Sequence, residues 1–159
     1  MTPMTQYLSI LLLFGLITVS STSAQQSDIE AVLDDFHLAA SEADYERYFG
    51  HLAEESIFLG TDITERWTKS EFQGYAEPHF SAGRGWTYVP QVRHVYVGAG
   101  GEAAWFDEIL VNEKYGEVRG TGALVLQNGS WRIVQYHLTV PVPNDLLGTV
   151  VEMISAQSQ

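Results

Sequence analysis

The sequence predicts an α+β fold, with helices first and an antiparallel meander after them. Three observations carry that expectation. Apolar residues recur at helical spacing up to Phe80, and the pattern changes to that of strands from Trp86 onward. Asn128-Gly129 then sits between two apolar runs, and both residues tolerate the positive φ of a type I′ hairpin turn. Helices followed by strands with short turns place the helices over one face of the sheet.

The elements follow in order. Ser27-Asp28-Ile29-Glu30 reads as a capping box, with the hydroxyl and the carboxylate satisfying free amides at a helix start. Ile29, Val32, Leu33, Phe36 and Ala40 then mark one buried face. Asp44 caps a short second helix carrying Tyr45, Tyr48, Phe49 and Leu52. Residues 56–59 form a short strand ended by Gly60, and Asp62 caps one helical turn through Arg66. Thr68 and Glu71 make a second capping box, opening a third helix with Phe72, Tyr75, Ala76, His79 and Phe80 on one stripe and Pro78 near its end. Strands are expected at 86–98, 103–112, 115–127 and 130–140. Pro141 and Pro143 stop the sheet, and 145–154 reads as a terminal amphipathic helix.

A chain of 159 residues, 45% of them hydrophobic, suits one domain with a real core. Residues 1–24 carry no charge, run apolar through 7–19 and end on Thr22-Ser23-Ala24, the pattern of a secretory signal. The expected organisation is therefore a leader at 1–24 and one exported domain at 25–159, periplasmic or extracellular. No Lys or Arg precedes the apolar run, so an uncleaved leader acting as an anchor is the alternative. The net charge of −12 falls wholly after the leader and repels nucleic acid and anionic membranes, which excludes nucleic-acid binding. There is no cysteine, hence no disulfide and no thiolate chemistry. Without Cys or paired-His spacing no metal site is expected. Residues 98–103 match a dinucleotide fingerprint only loosely, with a strand where a helix should follow, and no cofactor is expected.

A two-residue Asn128-Gly129 turn pairs Gly122 with Gln135 and Gly120 with His137. An even-length loop in the preceding hairpin puts Trp105 beside Gly122, Asp107 beside Gly120 and Glu108 beside Arg119, whereas an odd loop would exchange the faces. The even register gives two rows, Trp105–Gly122–Gln135 and Asp107–Gly120–His137, each with a glycine between functional side chains. Such rows describe a hollow floored by backbone. The other face is too apolar to be left in water, and a second copy of the chain is its expected cover.

Trp131-Arg132-Ile133-Val134 with His137 and Thr139, Phe36, Asp44 and Tyr48-Phe49 on the helices, and the glycine-bounded strand at Phe58 carry a resemblance. Across residues 28–140 the chain resembles the SnoaL-like branch of the nuclear-transport-factor-2-like superfamily. That resemblance implies a cone-shaped α+β domain with N-terminal helices on a strongly curved antiparallel sheet, an apolar pocket between them, and a homodimer through the outer sheet face. The superfamily includes polyketide cyclases, ketosteroid isomerases, dehydratases, epoxide hydrolases and non-enzymatic binding or association domains, so the fold leaves the activity open. Its cyclases and dehydratases commonly use an Asp or an Asp–His combination as acid and base, which carries over to Asp107 and His137 alone. The Tyr-plus-protonated-Asp arrangement of the isomerases has no counterpart motif.

Three functions fit these expectations. The first is binding of a small, largely apolar or polycyclic molecule, with Tyr48, Asp62, Trp67, Tyr75, His79, Trp105 and Gln135 around the pocket. The second is cofactor-independent acid–base catalysis of an isomerase, cyclase or dehydratase type, with Asp107 as base or orienting group and His137 as proton shuttle. The third is a ligand-free dimeric association module.

Overall fold

The computed structural model describes residues 6–157, with side chains from residue 22 onward; most of the expected leader lies outside the residues whose side chains are described. Four helices and six strands run in the order α1 (Gln6–Ser41), α2 (Tyr45–Gly50), β1 (Leu52–Leu59), β2 (Arg66–Thr68), α3 (Lys69–Phe80), β3 (Val89–Val97), β4 (Ala103–Asn112), β5 (Gly116–Gln127), β6 (Ser130–Thr139) and α4 (Leu147–Gln157). The sheet order is β2-β1-β6-β5-β4-β3. Every ladder is antiparallel except β1 on β6, which makes the sheet mixed. No described helix is long and apolar enough to cross a membrane.

Local chemistry explains most boundaries. Asp44 accepts the Arg47 amide and caps α2. Thr68 and Glu71 form the expected capping box at the start of α3. Ser27 starts no helix, because α1 runs continuously through it. The 62–66 turn also differs from expectation. The Asp62 carboxylate accepts from the Thr64 amide and hydroxyl, Gly60 closes a turn to Glu65, and Arg66 to Thr68 extend as β2 beside β1 instead of forming a helical turn.

Helices α1 to α3 pack on one face of the sheet. Ile29, Leu33, Phe36, Tyr48, Phe49, Phe72 and Phe80 meet Phe106, Leu110, Val118, Leu124, Ile133 and Tyr136 there. Phe36 and Tyr48 stack at 4.4 Å. Each such fully buried large side chain contributes roughly 1.5–3 kcal/mol relative to exposure.

The strand registers correct the expected rows. The β4–β5 loop has an odd length: Asn112 pairs with Gly116 around Glu113-Lys114-Tyr115, Gly116 takes φ +70, and the Asn112 side chain accepts from the Lys114 and Tyr115 amides. The Asn128-Gly129 turn pairs Gln127 with Ser130 as expected, but Val134 bulges out of the ladder between the Leu124–Ile133 and Ala123–Gln135 pairs. Both steps slip the pairing by one residue, and a one-residue slip turns side chains to the opposite face. Trp105 therefore lies opposite Ala123, Asp107 opposite Thr121, and Glu108 opposite Gly120. Gly122 faces Tyr136 and Gly120 faces Leu138. Phe106, Glu108, Tyr136 and Leu138 point inward, while Trp105, Asp107, Gln135 and His137 belong to the outer face.

Candidate functional site

A cavity of about 810 Å³ opens between α3, the β1–β2 turn, the 85–88 segment and the β4–β5 hairpin. Phe58, Trp67, Phe72, Tyr75, Trp86, Tyr88 and Tyr115 supply the aromatic part of its wall, and Leu138 of β6 contributes from the sheet. The sequence builds this wall locally. Phe72 and Tyr75 lie one turn apart on α3, and β2 holds Trp67 directly opposite Phe58. The rings stack in near-parallel order: Phe58 on Phe72 at 3.9 Å, Trp67 on Phe72 at 5.6 Å, and Trp67 on Tyr75 at 4.8 Å. Flat ring faces arranged this way suit dispersion contact with another apolar or ring-bearing molecule. Polar groups come from the turn, the 85–88 segment and the hairpin, namely Thr61, Glu65, Thr87, Asn112, Glu113 and Lys114. Burial pushes the Tyr88 phenol up to about 12, so it stays a neutral hydrogen-bonding group at ordinary pH.

A second set of polar side chains lies inside the domain and outside the cavity lining. Glu108, 1% exposed, is the centre. Its Oε1 lies 2.8 Å from His37 Nε2 and accepts from the Tyr136 hydroxyl at 3.0 Å, and its Oε2 accepts from Arg93 Nε at 2.8 Å. Arg93 also donates from Nη1 to Asp34 at 2.7 Å. Burial alone would raise the Glu108 pKa, but His37 and Arg93 outweigh it and hold the carboxyl below its ordinary 4.5. Burial, then the Glu108 charge, pushes the Tyr136 phenol well above its ordinary value. With both carboxylate oxygens bonded, this network fastens α1 to β3, β4 and β6, and Glu108 takes no part in lining the cavity. Gly120 makes the arrangement fit, because a Cβ there would stand 2.5 Å from the Tyr136 hydroxyl and 2.8 Å from Glu108 Oε1.

The expected site residues divide into two groups. Trp67 and Tyr75 line the cavity. Asp107, Trp105, Gln135 and His137 are carried to the outer face by the two register slips. Asp107 and His137 occupy one row there with Thr121 between them, and His137 Nε2 lies 3.1 Å from the Thr139 hydroxyl. Trp105 is 52% exposed and stacks on Tyr96. Tyr48 is packed in the core between Phe36 and Trp86. Asp62 is spent on its turn, where the Thr64 hydroxyl and amide hold its pKa down. His79 sits beside the Tyr75 ring at 5.4 Å without lining the cavity. Among the described residues no group of three or more potential metal-ligating side chains is clustered.

Sequence reasoning missed Phe58, Phe72, Trp86 and Tyr88 as cavity wall, and the whole Glu108 network. Phe72 was legible one turn before Tyr75, on the same helix stripe. Glu108 was not, since only the odd loop turns it inward.

With this geometry in place, the class is clear. A SnoaL-like domain profile matches residues 29–143, and the chain belongs to the SnoaL-like domain family. No curated protein matches it. Among solved structures it is similar to a nuclear-transport-factor-2-like protein of unknown function from Pseudomonas putida KT2440, at 18% identity, covering 78% of this chain and 92% of that one, with a TM-score of 0.63. It is also similar to a candidate scytalone dehydratase from Novosphingobium aromaticivorans DSM 12444, at 11% identity, 78% and 89% coverage and a TM-score of 0.67. A third is a candidate calcium/calmodulin-dependent protein kinase II association domain from Xanthomonas campestris, at 16% identity, 73% and 86% coverage and a TM-score of 0.53. At these identities the similarity shows the fold alone.

Proposed function

We propose that this SnoaL-like domain binds a small, largely apolar molecule in the cavity between α3 and the β4–β5 hairpin. The observation that carries the reading is the stacked wall of Phe58, Trp67, Phe72 and Tyr75 around a space of about 810 Å³. That volume is within the usual range for small-molecule sites, which combine apolar lining with a few orienting polar groups. A ring-bearing ligand would lie along the Trp67 and Tyr75 faces, with any polar substituent turned toward Glu65, Asn112 or Lys114. The charge-free apolar leader supports work outside the cytoplasm. Val92, Tyr96, Trp105 and Ile109, all exposed on the outer sheet face, support a homodimer through that face.

Acid–base catalysis by Asp107 and His137 gains no such support, because both side chains belong to the face away from the cavity. The experiment is native mass spectrometry of the purified chain incubated with a mixture of ring-bearing small molecules. A one-to-one adduct that is lost in Trp67→Ala supports the reading. An adduct that survives Trp67→Ala and Tyr75→Ala alike, or none at all, would overturn it.

A further inference from the structure

Helix α4 follows the last strand and, among the described residues, packs on no other element. It is nevertheless amphipathic. Leu147 and Val151, one turn apart, are 49% and 53% exposed, and Leu146 just before them is 51% exposed. Thr149 and Glu152 occupy the opposite side. A helix of 11 residues is marginal in water without a surface to meet its apolar stripe.

The chain leaves β6 at the cavity end of the domain. Leu138 lines the cavity, and Thr139 pairs with Arg119, close to the hairpin whose Glu113, Lys114 and Tyr115 fringe the opening. The leash 140–146 can span about 23 Å when extended, and Pro141 and Pro143 favour extension. Apolar surface awaits at the fringe, where Tyr75 is 48% and Tyr115 43% exposed.

We propose that α4 is a lid: it folds back over the cavity mouth and lays Leu147 and Val151 on Tyr75 and Tyr115, closing over an apolar occupant. The occupant, though not the closure itself, rests on the binding reading above. A second copy's outer sheet face is the competing dock for the same stripe, and the test separates the two.

The chain has no cysteine, so Glu113→Cys with Val151→Cys introduces the only two thiols. Under mild oxidation the lid predicts an intramolecular disulfide that forms at least tenfold faster than in Ser130→Cys with Val151→Cys. Ser130 sits at the far end of β6, about 30 Å from Thr139 along the strand. Added 8-anilinonaphthalene-1-sulfonate should raise the faster rate further. Equal rates in the two variants would overturn the lid, as would disulfides that join two chains, which would assign α4 to a second copy. If the reduced variant binds the dye but does not crosslink, the lid falls and the cavity reading stands. If the unsubstituted chain binds no dye while the crosslink forms, the cavity reading falls and the closure stands.

Discussion

The Tyr136 hydroxyl donates to Glu108 Oε1 at 3.0 Å through the space left by the missing side chain of Gly120. The contact joins β6 to β4 across β5, and His37 brings α1 to the same oxygen. It holds α1 on the sheet while taking no part in lining the cavity.

Replacing Glu108 by Gln removes the buried counter-charge of Arg93 and leaves it only the solvent-exposed Asp34. Removing one partner of a buried ion pair costs about 3–5 kcal/mol. Urea unfolding should therefore show a loss of that size for Glu108→Gln. Tyr136→Phe should lose only about 1 kcal/mol, since Glu108 keeps its two other partners. A Glu108→Gln chain as stable as the parent would contradict a fastening role.

The same carboxylate sets the response to acid. The Glu108 pKa is depressed by His37 and Arg93, and that of Asp35 is depressed to about 2, first by its bond to Arg47. A depressed carboxyl contributes stability that is full above its ordinary value, 4.5 and 3.8 for these two, and is lost as pH falls through the folded value. The urea midpoint should stay level down to about pH 5 and then drop toward pH 2. Glu108→Gln should flatten much of that drop. Asp35 lies partly in solvent and should account for little of it.

Gly122→Ala should destabilise the sheet by about 1–3 kcal/mol, the usual cost of overpacking. A Cβ there would run into the Gln135 carbonyl oxygen and come within 2.7 Å of the Phe106 ring. The backbone oxygen cannot swing aside as a side chain can. Thermal unfolding of the variant checks this, and an unchanged midpoint would contradict the packing described.

Helices, strands and fold class were legible because they depend on short-range signals. Asp44, Thr68 with Glu71, and Asn128-Gly129 each act within a few residues of themselves. The site was less legible because it depends on register. One extra residue in the Glu113-Lys114-Tyr115 loop and one bulge at Val134 exchanged Asp107 for Glu108 and Gln135 for Tyr136 on the inner face. Neither leaves a strong mark in a single sequence, since Asn112 and Gly116 permit loops of several lengths. The parallel pairing of β1 with β6 is likewise a tertiary choice, made by elements more than seventy residues apart. Tyr75 was legible from its place on the α3 stripe, and Trp67 from the resemblance, which sets the connection before α3 at the cone mouth.

The outer face gives a prediction independent of the cavity. Trp105→Glu puts a charge at a half-exposed position stacked on Tyr96. Analytical ultracentrifugation should show a dimer for the parent and a monomer for the variant, with unchanged far-ultraviolet circular dichroism. A parent chain that sediments as a monomer, or a variant that remains dimeric, would contradict the proposed dimer face.

The most direct test of ligand binding uses the chain's four tryptophans. Trp67 and Trp86 line the cavity, Trp131 is buried in the core and Trp105 stands on the outer face. Each gives one indole N–H signal in a nitrogen–proton correlation spectrum, so titration with 8-anilinonaphthalene-1-sulfonate reports on all three environments at once. Saturable shifts of Trp67 and Trp86, with Trp105 and Trp131 unmoved, are the predicted result. Movement of Trp105 alone, or no saturable shift of any indole, would contradict the cavity as the binding site.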